Sequence, residues 1–187
     1  MSHNDQTRAG LVYALAAFGS WGLFPVFLKF LAHVPPLEIL AHRVAWSLLV
    51  CALLSWAGRD WSGLRKALAS PKVMGTLLVT AALISVNWLI FIYAINTGRV
   101  LSASLGYYIN PLVNIVLGMV FLGERLRRAQ KVAVAMAVLG VLNLTVRYGV
   151  FPWISLALAF SFGFYGLVRK VAAVGPLAGL TVETLVL

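Results

Sequence analysis

The sequence is poor in acids. Five Asp and Glu stand against fifteen Lys and Arg, and charged residues of both signs make up only 11% of the 187-residue chain. The acids are Asp5, Glu38, Asp60, Glu124 and Glu183, spaced so that no two suggest a general acid–base pair. His3, His33 and His42 lack metal-ligand spacing. The single cysteine, Cys51, lies inside an apolar run and permits neither a disulfide framework nor a metal-spaced pair. No phosphate-cradling glycine loop is present either. These absences argue against catalysis, and no motif asks for a metal or cofactor.

What the sequence has instead is apolar length. Hydrophobic residues make up 61% of it and the mean hydropathy is +0.94, against roughly half apolar and a quarter charged in soluble domains. The charges leave uncharged runs at 9–28, 44–58, 73–98, 100–123, 132–146 and 148–168. A spanning helix needs about 20 apolar residues, so the first, third, fourth and sixth runs qualify as they stand. The second is expected to begin near Pro36, admitting Glu38, His42 and Arg43 into its outer turns, and the fifth near Ala129. A seventh run starts at Pro176 and reaches Leu187, about half the length of a span. The chain is expected to be cut short there. The first run exceeds the roughly 7 to 15 residues of a signal-peptide core, and Trp21 and Pro25 stand where small cleavage-site residues belong, so it reads as a retained helix.

Basic residues give the orientation. With a cytoplasmic N-terminus, the inner segments hold eleven cations: Arg8; Arg59, Arg65, Lys66 and Lys72; Arg125, Arg127, Arg128 and Lys131; Arg169 and Lys170. The outer segments hold four, Lys29, Arg43, Arg99 and Arg147. This is the positive-inside bias, so the basic clusters read as topogenic rather than as nucleic-acid patches. The expected partners are membrane lipids and a small-molecule solute, with no nucleic acid and with self-association left open.

One hexad is written nearly twice. Phe18-Gly-Ser-Trp-Gly-Leu23 returns 144 positions later as Phe162-Gly-Phe-Tyr-Gly-Leu167. Downstream, Val34-Pro-Pro-Leu-Glu-Ile-Leu40 matches Val174-Gly-Pro-Leu-Ala-Gly-Leu180, and Arg43 then aligns with Glu183. The copies fall in the first and sixth spans, five crossings apart, so they run in opposite directions. Such inverted repeats enclose a midplane site that rocking exposes to each side in turn. Residues 1–146 are expected to form the first five-helix repeat and 147–187 the start of the second. A complete protein would then have ten helices in roughly 290 residues.

Ser104-Leu-Gly-Tyr-Tyr-Ile-Asn-Pro-Leu-Val-Asn-Ile-Val-Leu-Gly-Met-Val-Phe-Leu-Gly-Glu-Arg-Leu126 closely resembles the fourth-helix signature of EamA-type transporters of the drug/metabolite transporter superfamily. Glu38-Ile-Leu-Ala-His-Arg43, Asn87-Trp-Leu-Ile-Phe91 and Ala159 to Lys170 resemble the RarD subgroup in particular. The resemblance implies an all-α integral membrane protein with an inverted five-plus-five helix fold, here six helices and the start of a seventh. It also implies cytoplasmic termini, a bacterial inner membrane and export of small organic solutes. A channel is the alternative reading, although no ring of like charges is visible.

Polar groups in hydrocarbon mark the candidate site. In the fourth span Tyr107, Asn110 and Asn114 share one face, continued by Gly118. Pro111 removes a backbone hydrogen bond near Tyr107, where a kinked helix could coordinate a polar ligand. The two asparagines could equally tie neighbouring helices together. Asn87, Trp88 and Trp21 lie deeper than the belt tryptophans Trp56, Trp61 and Trp153, as either cavity wall or packing. Arg43, about 9 Å inside a helix starting at Leu37, could attract a carboxylate or phosphate on the solute or snorkel to headgroups. Glu38, His42 and Glu183 are the candidates for gating or coupling, with an Arg43–Glu183 pair as a conceivable gate. Glu124 with its neighbouring arginines reads as an ion-paired cap, and Ala129, Ala133 and Ala137 as a close-packing face.

Overall fold

The computed structural model describes residues 3–58, 61–149, 151–172 and 174–187, without the side chains of 3–6, 8, 9, 62, 144 and 148. Arg59 and Asp60 lie outside the described residues, as do the side chains of His3, Asp5 and Arg8. Every regular element among the described residues is an α-helix: α1 (His3–Phe30), α2 (Pro36–Ala57), α3 (Trp61–Ala69), α4 (Pro71–Asn96), α5 (Val100–Leu122), α6 (Arg128–Tyr148), α7 (Trp153–Val171) and α8 (Pro176–Val186). Six of them are long and apolar enough to cross a bilayer: α1 from Gly10, α2, α4, α5, α6 and α7.

Local chemistry sets the ends. Proline opens α2, α4 and α8 at the first turn, where its missing N–H has no intrahelical partner to lose. Ser70 caps α4, its hydroxyl accepting from the Val73 N–H at 3.5 Å. α5 and α6 stop at Gly123 and Gly149, whose φ of 66° and 62° suit glycine and turn the chain out of the helix. The span starts expected near Pro36 and Ala129 agree with α2 and α6. The link between the second and third spans is itself helical, a finding the sequence reading missed. α3 is too short and, with Arg65 and Lys66, too charged to register as a span; it seats Ala67 against Leu77 of α4 and Val182 of α8.

α4 is the hub, packing against α1, α2, α3, α5, α7 and α8. Its stripe Thr80, Ile84, Asn87 and Phe91 is wholly buried, at the three- and four-residue steps of one helical face. α5 and α7 share the most extensive helix contact. They run parallel, since Ser155 donates to the Ser102 carbonyl at 2.7 Å near their N-termini while Lys170 meets Glu124 at 3.0 Å near their C-termini. α7 runs against α4, with Trp153 beside Tyr93 and Leu158 beside Asn87. α1 runs with α4: Phe24 stacks on Phe91, and Leu28 joins Ile92 and Ile95 in one apolar cluster.

The two hexads therefore lie on helices of opposite direction, as an inverted duplication requires. Their paired aromatics match, Phe18 to Trp21 and Phe162 to Tyr165 each at 5.9 Å between ring centroids. Their surroundings differ. Gly163 of the second copy lies against Val113 and Leu117 of α5, whereas among the described residues nothing lies within 4 Å of a Cβ built on its counterpart Gly19. Ala129, Ala133 and Ala137 are exposed, because α6 rests mainly on α5 through other residues. The expected close-packing face is thus not in use among the described residues.

Candidate functional site

Arg43 is drawn into the bundle by its place on α2. Ile39 and Leu40, buried against α4, lie four and three residues before it on the same face. Its guanidinium consequently lies between helices, with Cζ 4.1 Å from the ring centroid of Trp88 on α4 and 4.9 Å from that of Phe24 on α1. Both distances fall within the roughly 6 Å at which a ring quadrupole attracts a cation. Phe24 stacks on Phe91 at 6.4 Å and 12°, and Phe91 meets Tyr107 of α5 edge-on at 5.8 Å. Four helices thus supply a continuous aromatic wall with one cation set into it.

The remaining site residues divide. Asn87, buried on α4, gives both amide hydrogens to α7, one to the Leu158 carbonyl at 3.0 Å and one to the Ser161 hydroxyl at 2.9 Å. It is a tie between helices, with no amide hydrogen left for a ligand. Asn110 keeps a buried Oδ1 that has no partner among the described residues. Asn114 is exposed and lines a cleft of about 380 Å³ between α5 and α7, together with Gly118, Gly163, Gly166, Glu124 and Lys170. The Tyr107, Asn110, Asn114 stripe therefore serves two neighbourhoods, with Tyr107 facing the aromatic wall and Asn114 the cleft. α5 continues unbroken through Pro111, so the missing N–H does not end the helix there. Trp21 is 65% exposed and meets only Phe18 among described rings. Glu38 and His42 are exposed on α2 and join neither group.

Glu183 lies elsewhere and is 1% exposed. It accepts from the Thr80 hydroxyl at 2.6 Å and from the Tyr165 hydroxyl at 3.4 Å, and its Oε1 is 3.7 Å from Arg169 Nε. The suggested Arg43–Glu183 pair is therefore replaced by Arg169–Glu183. The reason is register: α8 packs on α2, α3 and α4, but Glu183 meets Thr80 in the first half of α4, whereas Arg43 lies over Trp88 in its later half. Glu124 likewise pairs with Lys170 of α7 at 3.0 Å, not with its own neighbouring arginines. Phe24, Phe91, Thr80, Tyr165 and Arg169 were absent from the sequence-based site. Phe91 and Thr80 were within reach, since they share the buried α4 face with Asn87; Arg169 was concealed by its topogenic reading.

Residues 8–146 match the model of the EamA-like transporter family. Protein RarD of Escherichia coli is 51% identical over 180 residues, covering 96% of this chain and 61% of that protein. Protein RarD of Streptomyces exfoliatus is 48% identical over 187 residues, covering 100% of this chain and 59% of its own length. A protein of Vibrio cholerae named as an uncharacterized transporter is 49% identical over 181 residues, covering 97% and 60%. The chain thus spans about three-fifths of the length of the curated relatives it matches. No solved structure matches. With a family model covering most of the chain and relatives about half identical along nearly all of it, this multi-pass membrane protein belongs to the EamA-like transporter family, among the RarD proteins.

Proposed function

We propose that the protein is a secondary transporter that exports small amphipathic organic solutes by alternating access. In this reading residues 1–146 form the first repeat and 147–187 begin the second, in a bacterial inner membrane with the N-terminus in the cytoplasm. The observation that carries the reading is the cation set into an aromatic wall where α1, α2, α4 and α5 meet. Arg43 is half-buried and has no ion pair among the described residues; a cation without a counter-charge is costly in hydrocarbon, and such residues mark solute paths when they face a bundle interior. Aromatic faces beside it suit a solute with an apolar body and a polar end. The opposed α1 and α7 support rocking of one unit against the other.

Counterflow tests this. Proteoliposomes of the full-length protein, preloaded with amino acids, nucleosides or amphenicols, are expected to show saturable, trans-stimulated uptake of at least one labelled member of the same panel. Flux that rises without saturation and ignores the preload would identify a pore and defeat alternating access. Orientation is tested by an impermeant thiol reagent on intact cells. A cysteine placed at Gln130 should stay unlabelled and one at Gly98 should react; the reverse pattern refutes the cytoplasmic N-terminus.

A further inference from the structure

The aromatic wall around Arg43 is specific in what it leaves free. A guanidinium has two faces, which rings satisfy, and an edge of five N–H donors, which needs acceptors. The guanidinium carbon of Arg43 lies over two aromatic rings, those of Trp88 and Phe24. Its edge is different. Among the described residues it makes no hydrogen bond to an acceptor and no ion pair. Glu183 is engaged by Arg169, Thr80 and Tyr165, and Glu124 by Lys170. Glu38, on the same helix, is exposed and forms no ion pair with it. Every described acid side chain is thus accounted for away from Arg43.

We infer that the transported solute carries a carboxylate, received by the free edge of Arg43, with its apolar body lying along Phe24, Phe91 and Tyr107. This rests on the transport reading above and narrows it. A guanidinium fork presents two parallel donors, and a carboxylate accepts both in one plane. Tyr107, set on the same wall by its edge-on contact with Phe91, carries a further hydroxyl donor. A lipid phosphate offers the same charge. A carboxylate's two oxygens lie in one plane with the fork, and varying the headgroup tests the lipid source directly.

The probes are N-acetylphenylalanine and its amide, which differ only in carboxylate against carboxamide. Equilibrium binding is measured on the full-length protein in nanodiscs of phosphatidylcholine and again with phosphatidylglycerol added. The acid is expected to bind at least about tenfold tighter than the amide, the scale of charge-assisted hydrogen bonds. Arg43→Gln should bring the acid-to-amide ratio close to one, and Arg43→Lys, which keeps the charge but not the fork, should leave an intermediate ratio. Equal affinities in the parent protein, no binding of either probe at millimolar concentration, or an undiminished ratio in Arg43→Gln would overturn the inference. So would loss of the preference on adding phosphatidylglycerol, which would give the site to a headgroup. Counterflow of neutral solutes without a carboxylate preference would sink this inference alone. Carboxylate binding without trans-stimulated flux would instead sink the transport reading.

Discussion

Glu183→Ala is expected to cost about 3–5 kcal/mol of stability, because it leaves the largely buried Arg169 guanidinium without its counter-charge. The surroundings offer little relief. A Cβ on Gly179 would collide with the same guanidinium, so Arg169 already lies flat against the α8 backbone, and its Nη1 has no partner among the described residues. Thr80 would also lose the short 2.6 Å acceptor that links α4 to α8. Glu183→Gln should be milder, since an amide oxygen still accepts from Thr80 while the charge is gone. The double variant Arg169→Met/Glu183→Leu should recover most of the loss, because removing both charges together removes the desolvation cost of each. Reversible unfolding in detergent, followed by helical circular dichroism, measures all three. A Glu183→Ala protein as stable as the parent would show that the cluster does not hold α8.

Glu183 and Arg43 stand at positions that the repeated hexads and their downstream segments align, yet their surroundings differ. Each follows a helix-opening proline by seven residues, Pro36 for Arg43 and Pro176 for Glu183. Glu183 is held by three partners from two helices, Thr80 of α4 and Tyr165 and Arg169 of α7, whereas Arg43 meets two aromatic rings and no acceptor among the described residues. One copy of the position has become an anchor. The other has no acceptor among the described residues, which is the opening that the proposed solute carboxylate would fill.

The spans, their starts and the inverted hexads were legible because they depend on local patterns: uncharged length, proline at the first turn and a repeated six-residue word. Arg43 and Trp88 were legible as unusual residues at depth. Their partnership was not, since it depends on which face of α2 meets which face of α4, and nothing local encodes that register. The same gap explains the exchange of Arg43 for Arg169 as the partner of Glu183. Asn87 shows the limit from the other side: a polar residue at mid-span signals a hydrogen bond, but only the position of α7 shows that Leu158 and Ser161 receive it. α3 was missed because a nine-residue helix bearing Arg65 and Lys66 resembles a solvated loop until Leu77 and Val182 are seen to cover its apolar side.

The parallel contact of α5 with α7 rests on glycine, and substituting Gly106 should reveal it. A Cβ there would sit 3.0 Å from both Leu158 Cβ and the Ser155 carbonyl oxygen and 3.3 Å from Ser155 Cα. Two of those three are backbone atoms that cannot turn aside, so a larger side chain must push the helices apart. Separation would strain the Ser155 to Ser102 hydrogen bond and the α7 side of the Asn87 tie, because the same turns of α7 carry all of them. In bilayers, where close van der Waals contact replaces the hydrophobic drive between helices, this loss is not offset by burial elsewhere. Gly106→Leu is therefore expected to destabilise by about 3 kcal/mol, the upper end of overpacking costs. Gly166→Ala on α7 is the control: a Cβ there meets nothing within 4 Å, and helical alanine should stabilise by about 0.5 kcal/mol. Melting of the two variants in detergent separates the cases. If Gly106→Leu melts with the parent, the α5–α7 contact is looser than its geometry implies, and the cleft beside Asn114 loses the rigid wall that defines it.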